Sequence, residues 1–169
     1  MTEGQIHQED LSPGDSDIDV RAVGQRRELS RSHGAILLVI AAGGGVGALA
    51  RYGLAQWWPT RTGGFPWATF VTNVSGCFLI GVLMVAVVEI GTAHPLVRPF
   101  LGVGILGGFT TFSTYATEIR DLLEPGTVII AFAYLAGTLL SALLATAVAM
   151  RSARACHELL RRGRRRAVR

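Results

Sequence analysis

The sequence predicts an all-α membrane protein with four transmembrane helices, the third of them broken at Gly107–Thr111. Composition, charge placement and segment length each point there. Half of the 169 residues are hydrophobic and only 17% are charged, less charge than a soluble domain carries. Mean hydropathy is +0.40. Between His33 and Arg151 the acids and arginines are Arg51, Arg61, Glu89, Arg98, Glu118, Arg120, Asp121 and Glu124; the rest crowd into the two ends. That is the pattern of a membrane domain with solvated tails. Residues 1–33 are expected to be a disordered polar extension, 34–150 the four-helix membrane domain, and 151–169 an Arg-rich tail.

The formal charge of +4 raises the question of nucleic acid. All basic residues are arginine, however, and the densest cluster, Arg161-Arg162-Gly163-Arg164-Arg165-Arg166, directly follows an apolar segment. A juxtamembrane tail meeting anionic lipid accounts for it, so no nucleic-acid partner is expected. Cys77 and Cys156 lie in different environments and give no disulfide framework. No Cys/His spacing suits zinc. No nucleophile–base set appears either, and His7, His33, His94 and His157 all lie outside the span centres. The chain is not expected to be an enzyme.

Met1 to Ser32 lacks the apolar core of a signal peptide. The first span runs from about Gly34 to Trp57, enough for the roughly 20 residues that cross a bilayer, with Trp57-Trp58-Pro59 at its interfacial end. Gly43-Gly44-Gly45-Val46-Gly47-Ala48 matches a loose dinucleotide fingerprint. No acid follows about twenty residues on and no βαβ pattern continues it. Gly43 and Gly47 read better as a small-xxx-small packing face. Arg51, a turn before the tryptophans, is read as snorkelling to the headgroups.

Arg61 to Pro66 is a short loop, and the second span covers about Trp67 to Val88. Asn73 is its informative residue: an amide at membrane depth needs partners, either on another helix as a clamp or in a wet cavity. Glu89 to Pro95 is the next loop. The last span, about Thr127 to Met150 after the turn Glu124-Pro125-Gly126, places Tyr134, Thr138 and Ser141 on one side. Such hydroxyls line a track or bond back to their own helix.

The third segment, Leu96 to about Leu123, holds Gly107-Gly108-Phe109-Thr110-Thr111-Phe112-Ser113-Thr114-Tyr115. Glycine and β-branched threonine both weaken a helix. A broken helix at membrane depth is tolerated where its freed carbonyls and amides face protein, water or an ion. Beyond the break, Thr111, Thr114, Tyr115 and Glu118 share one polar-aromatic face. The alternative is a Gly-rich packing helix whose hydroxyls bond the preceding turn.

These residues resemble the Fluc (CrcB) fluoride channels over about Gly44 to Ser141. Three stretches carry the resemblance: Gly44-Gly45-Val46-Gly47-Ala48 with Arg51-Tyr52, Thr69 through Gly81, and the Gly107–Tyr115 run, which is the most specific. The resemblance implies a passive, fluoride-selective channel that exports cytoplasmic fluoride. It implies an antiparallel dimer with two narrow pathways and a structural sodium ion at the interface, held by backbone carbonyls of Gly107 and Thr110. By the same resemblance Asn73 offers its amide to fluoride, Phe112 and Tyr115 offer ring edges, and Thr114, Tyr134 and Thr138 continue the path. The chemistry agrees. A pore for a tightly hydrated anion must replace water with donors, which amides and hydroxyls supply, and aromatic edges carry the positive part of the ring quadrupole.

Two departures from the family pattern are Tyr115 with Ala116, where the family has phenylalanine and often serine, and Ala142, with Ser141 beside it, where a hydroxyl is usual. A proton-coupled exporter of the small multidrug type is the main rival. It needs a carboxylate deep in the membrane; the first span has none, and Glu89 and Glu118 lie towards segment ends. A purely structural membrane subunit is the other. The arginines after the final span outweigh Arg61 and Arg120 on the opposite side, so both tails are expected in the cytoplasm of a plasma-membrane protein. That bias against dual insertion, together with Tyr115, favours a heterodimer with an oppositely oriented paralogue over a homodimer.

Overall fold

Long apolar helices dominate the chain because its interior is rich in leucine, alanine and valine, with proline confined to the segment ends. The computed structural model describes the backbone of residues 23–89 and 96–167, and the side chains of 34–87 and 96–162. Residues 1–34 and 35–169 form separate compact units. Of the first, only the opening turns of α1 (Val23–Trp57) are described. Residues 23–33, expected to belong to the polar extension, are therefore helical; the rest of that extension and loop residues 90–95 lie outside the described residues. Arg26-Arg27-Glu28-Leu29 are good helix formers, which lets the helix open ahead of the apolar run.

α1 stops before Pro59, and Gly63 takes φ 71° in the loop that follows. After Pro66 comes α2 (Trp67–Met84), prolonged by wide π-type turns over Val85–Glu89. Similar wide turns over Arg98–Leu106 lead into α3 (Gly107–Phe109). α4 (Ser113–Leu122) and α5 (Val128–Ala167) complete the chain. Three helical stretches are long and apolar enough to cross a membrane: Gly34–Trp57, Trp67–Val87 and Val128–Arg162. Among the described residues there is no strand.

α2 and α5 form the principal helix pair. Gly81 lets them close: a Cβ there would sit 2.8 Å from the Thr146 carbonyl oxygen, and the Thr146 hydroxyl donates to Cys77 O at 3.1 Å. α1 lies against the Arg98–Phe109 stretch through glycines from both sides. A Cβ on Gly43 would stand 2.6 Å from Phe100 O, one on Gly47 would meet Ile105 O, and one on Gly108 would meet Gly44 O. In lipid no hydrophobic drive separates helix from solvent, so backbone approach through small residues supplies the attraction. The packing role expected of Gly43 and Gly47 is thus present.

Leu38, Leu49, Ile129, Leu140 and Leu144 are exposed on the single chain. A soluble monomer does not present so much apolar surface. Lengths and faces together are those of a membrane protein.

Candidate functional site

The helix ends not at the glycine pair but just after it. Gly107 holds αR angles (φ −65°, ψ −38°), whereas Thr110 turns extended (φ −76°, ψ 154°). Within the expected stretch Gly107–Thr111 the glycine pair stays helical, and the departure lies at Thr110–Phe112. Gly108 admits α1, and the opened backbone finds its hydrogen-bond partners on another helix. Asn73 on α2 donates from Nδ2 to Thr111 O at 3.0 Å, and its Oδ1 accepts the Thr111 N–H at 2.8 Å. Two good hydrogen bonds replace the helical ones, so the interruption costs little.

This pairing frees specific carbonyls. In a continuous helix Gly107 O would take the Thr111 N–H, which Asn73 now holds. Thr110 O would take the Thr114 N–H, which donates to Thr111 Oγ1 at 3.2 Å. Leu106 O receives both the N–H and the hydroxyl of Thr110, at 3.0 and 2.9 Å. Gly108 O receives Arg51 Nε at 3.2 Å. Arg51 is thus tied to the interrupted helix, where sequence had it snorkelling to headgroups. The carbonyls of Gly107 and Thr110 are the two whose helical amides have been drawn to side chains. Uncharged oxygens of that kind suit a hard cation such as sodium. Among the described residues no His/Cys/Asp/Glu group could hold a metal instead.

A second set of contacts leads away from the junction. Phe112 and Tyr115 have ring centroids 6.1 Å apart, and Phe112 is 79% exposed. Tyr115 meets Tyr134 edge-on at 5.1 Å, and Tyr134 meets Phe65 edge-on at 5.2 Å. The Tyr115 hydroxyl donates to Leu135 O at 2.7 Å, so the phenol that departs from the family pattern is anchored on α5. Tyr134 is fully buried and donates to Glu118 Oε2 at 2.7 Å, while the Thr69 hydroxyl donates to Oε1 at 2.8 Å. One turn further along α5, Thr138 is buried and its hydroxyl has no partner among the described residues. Thr114 accepts from the Thr111 hydroxyl at 3.1 Å, leaving its own proton unassigned.

Of the expected site residues, Asn73, Thr114, Gly107 and Thr110 gather at the junction. Phe112, Tyr115 and Tyr134 form a continuous line of rings, and Thr138 follows on the same helix. Two side chains placed on the polar-aromatic face, but not among the expected site residues, organise these contacts. Thr111 supplies the amide, carbonyl and hydroxyl that organise the junction. Glu118 joins α2, α4 and α5 through two hydroxyls; its place on the Thr111–Glu118 face was the available signal. Asn73 spends one amide hydrogen on Thr111, and the other has no acceptor among the described residues.

A family model described as "CrcB-like protein, Camphor Resistance (CrcB)" matches residues 38–150, which include every residue of this site. The chain belongs to the CrcB-like family. Among its relatives, "Fluoride-specific ion channel FluC 2" of Nocardia farcinica is 62% identical over 120 residues, covering 71% of this chain and 86% of that one. "Fluoride-specific ion channel FluC 2" of Streptomyces avermitilis is 52% identical over 128 residues, 76% and 81% of the two chains. "Fluoride-specific ion channel FluC" of Thermus thermophilus is 45% identical over 108 residues, 63% and 84%. The CrcB-like match ends at Met150, so the Arg-rich end of α5 lies beyond it.

Proposed function

We propose that this CrcB-like chain is a fluoride-selective channel that lets cytoplasmic fluoride leave the cell passively across the plasma membrane, and that it is not an enzyme. The observation that carries the reading is the 62% identical relative bearing the name of a fluoride-specific channel. The site's chemistry supports it. Fluoride gives up its water only where several donors take over. The second amide hydrogen of Asn73, the hydroxyl protons of Thr114 and Thr138, and the edges of Phe112 and Tyr115 are donors of the right kind. Tyr134 and Thr69 keep Glu118 occupied, which limits its repulsion of an anion passing their hydroxyls.

The assembly we propose is an antiparallel dimer of four-span subunits. The third span is the Arg98–Leu122 stretch, divided at Thr110–Phe112 and completed by its partner. The carbonyls of Gly107 and Thr110 from both subunits would hold a structural sodium ion there, neutralising the partial charge of four oxygens. Both tails lie in the cytoplasm, and the partner is an oppositely oriented paralogue. The names FluC 2 and FluC 3 in Streptomyces avermitilis show that related proteins occur together in one organism.

Liposomes carrying the assembly and loaded with both halides test the function. Fluoride should leave within seconds and chloride should stay. Equal loss of the two ions, or no loss of either from an assembled protein, overturns it.

A further inference from the structure

We infer that the loop between α1 and α2 forms a binding site for the phosphodiester headgroup of an anionic phospholipid, with Arg61 as its anchor. A cavity of about 550 Å³ opens there, lined by Trp58, Thr60, Arg61, Phe65 and Trp67 among others. That volume lies in the range of small-molecule sites. Its position follows from the helices: α1 leaves its apolar stretch at Trp57 and α2 enters its own at Trp67. The cavity therefore stands at headgroup depth for both spans, where tryptophan is favoured.

The lining is built rather than incidental. Gly64 N–H donates to Arg61 O at 2.8 Å across a turn in which Gly63 holds φ 71°. Phe65 packs on Trp67 at 4.5 Å, on Phe70 at 5.5 Å and on buried Tyr134 at 5.2 Å, which fixes the floor. The indoles of Trp58 and Trp67 lie nearly parallel, 14° apart with centroids separated by 6.4 Å, and form a wall. Each remains about half exposed.

Charge selects the occupant. No carboxylate lines the cavity. Among the described residues the Arg61 guanidinium and both indole N–H groups lack acceptors. Arginine and indole are donors only, so the cavity asks for an acceptor-rich anion. A phosphodiester at the membrane surface supplies that, with its acyl chains running down the exposed apolar faces of α1 and α2.

All three tryptophans, Trp57, Trp58 and Trp67, belong to this region, so selectively excited tryptophan fluorescence reports on it alone. The full chain carrying Trp57→Phe is placed in phosphatidylcholine vesicles, and bromine-labelled phosphatidylglycerol or bromine-labelled phosphatidylcholine is titrated in. One surface cation contributes roughly a fivefold preference. Phosphatidylglycerol should quench at about one fifth the mole fraction that phosphatidylcholine requires. Arg61→Gln should equalise the two lipids, and Arg61→Lys should keep part of the preference. Neutralising Arg161, Arg162 and Arg164 to Arg166 should leave it intact. Equal quenching before Arg61 is changed, a preference that survives Arg61→Gln, or one that vanishes with the tail arginines overturns the assignment.

Discussion

Asn73 carries the structural pairing seen at the junction and, in the proposed function, a donor for fluoride. Its amide holds Thr111 by two hydrogen bonds and keeps one hydrogen in reserve. Asn73→Asp retains one of those bonds, removes both donors and adds a negative charge in a low-dielectric path. Fluoride flux should fall at least roughly tenfold, because one lost charge-assisted donor alone is worth about 1.5–3 kcal/mol. Size-exclusion chromatography should still show the assembly. Unchanged flux in an assembly with no other pathway would leave Asn73 as a clamp only. Thr138 gives the complementary test. Its buried hydroxyl has no partner among the described residues, so Thr138→Val removes an unsatisfied group and should stabilise the fold by about 1 kcal/mol. Flux should decline nonetheless. Thermal unfolding and efflux measured on one preparation decide it: parallel loss of both would mean the hydroxyl is structural.

At the scale of elements, sequence made some features plain and hid others for a physical reason. The apolar spans follow from composition and length, and the Gly43/Gly47 face follows from spacing, because both are local properties. The interruption of the third segment was legible as a region. Its expected bounds, Gly107–Thr111, overlap the observed Thr110–Phe112, but the partner that pairs with the opened backbone was hidden, because Asn73 lies 38 residues away from Thr111. Within that range glycine's low helix propensity does not unwind Gly107-Gly108, where Gly108 instead closely approaches Gly44. Glu118 escaped for the same reason: its partners Thr69 and Tyr134 sit 49 and 16 residues away. The glycine contact between α1 and α3 carries its own prediction. Gly108→Val forces a branched side chain onto the Gly44 backbone, and overpacking of this kind costs about 1–3 kcal/mol or more. The variant should unfold at lower temperature and lose assembly in detergent. Normal melting would show that α1 can move aside without penalty.

For the molecule as a whole, the proposed assembly would cover the apolar faces that one chain leaves exposed and bring an ion to the carbonyls of Gly107 and Thr110, whose helical amides are held by side chains. Thorough removal of sodium should weaken the assembly or its transport, and lithium should substitute poorly because the carbonyl spacing is set by the backbone. Full activity without sodium would remove the ion from the account. α5 alone is 40 residues, about 60 Å long, roughly twice the hydrocarbon thickness, so its arginine-bearing end projects beyond the bilayer. Reporters fused to the C-terminus should find that end in the cytoplasm. Equal populations in both orientations, with flux from this chain alone, would instead make it a dual-topology homodimer.

Selectivity is the central claim, and a reversal potential reads it most directly. With a tenfold fluoride gradient across a planar bilayer and equal chloride on both sides, current through the assembly should reverse about 59 mV from zero, at the fluoride equilibrium potential. Reversal at zero, where chloride is balanced, would contradict a fluoride-selective pore.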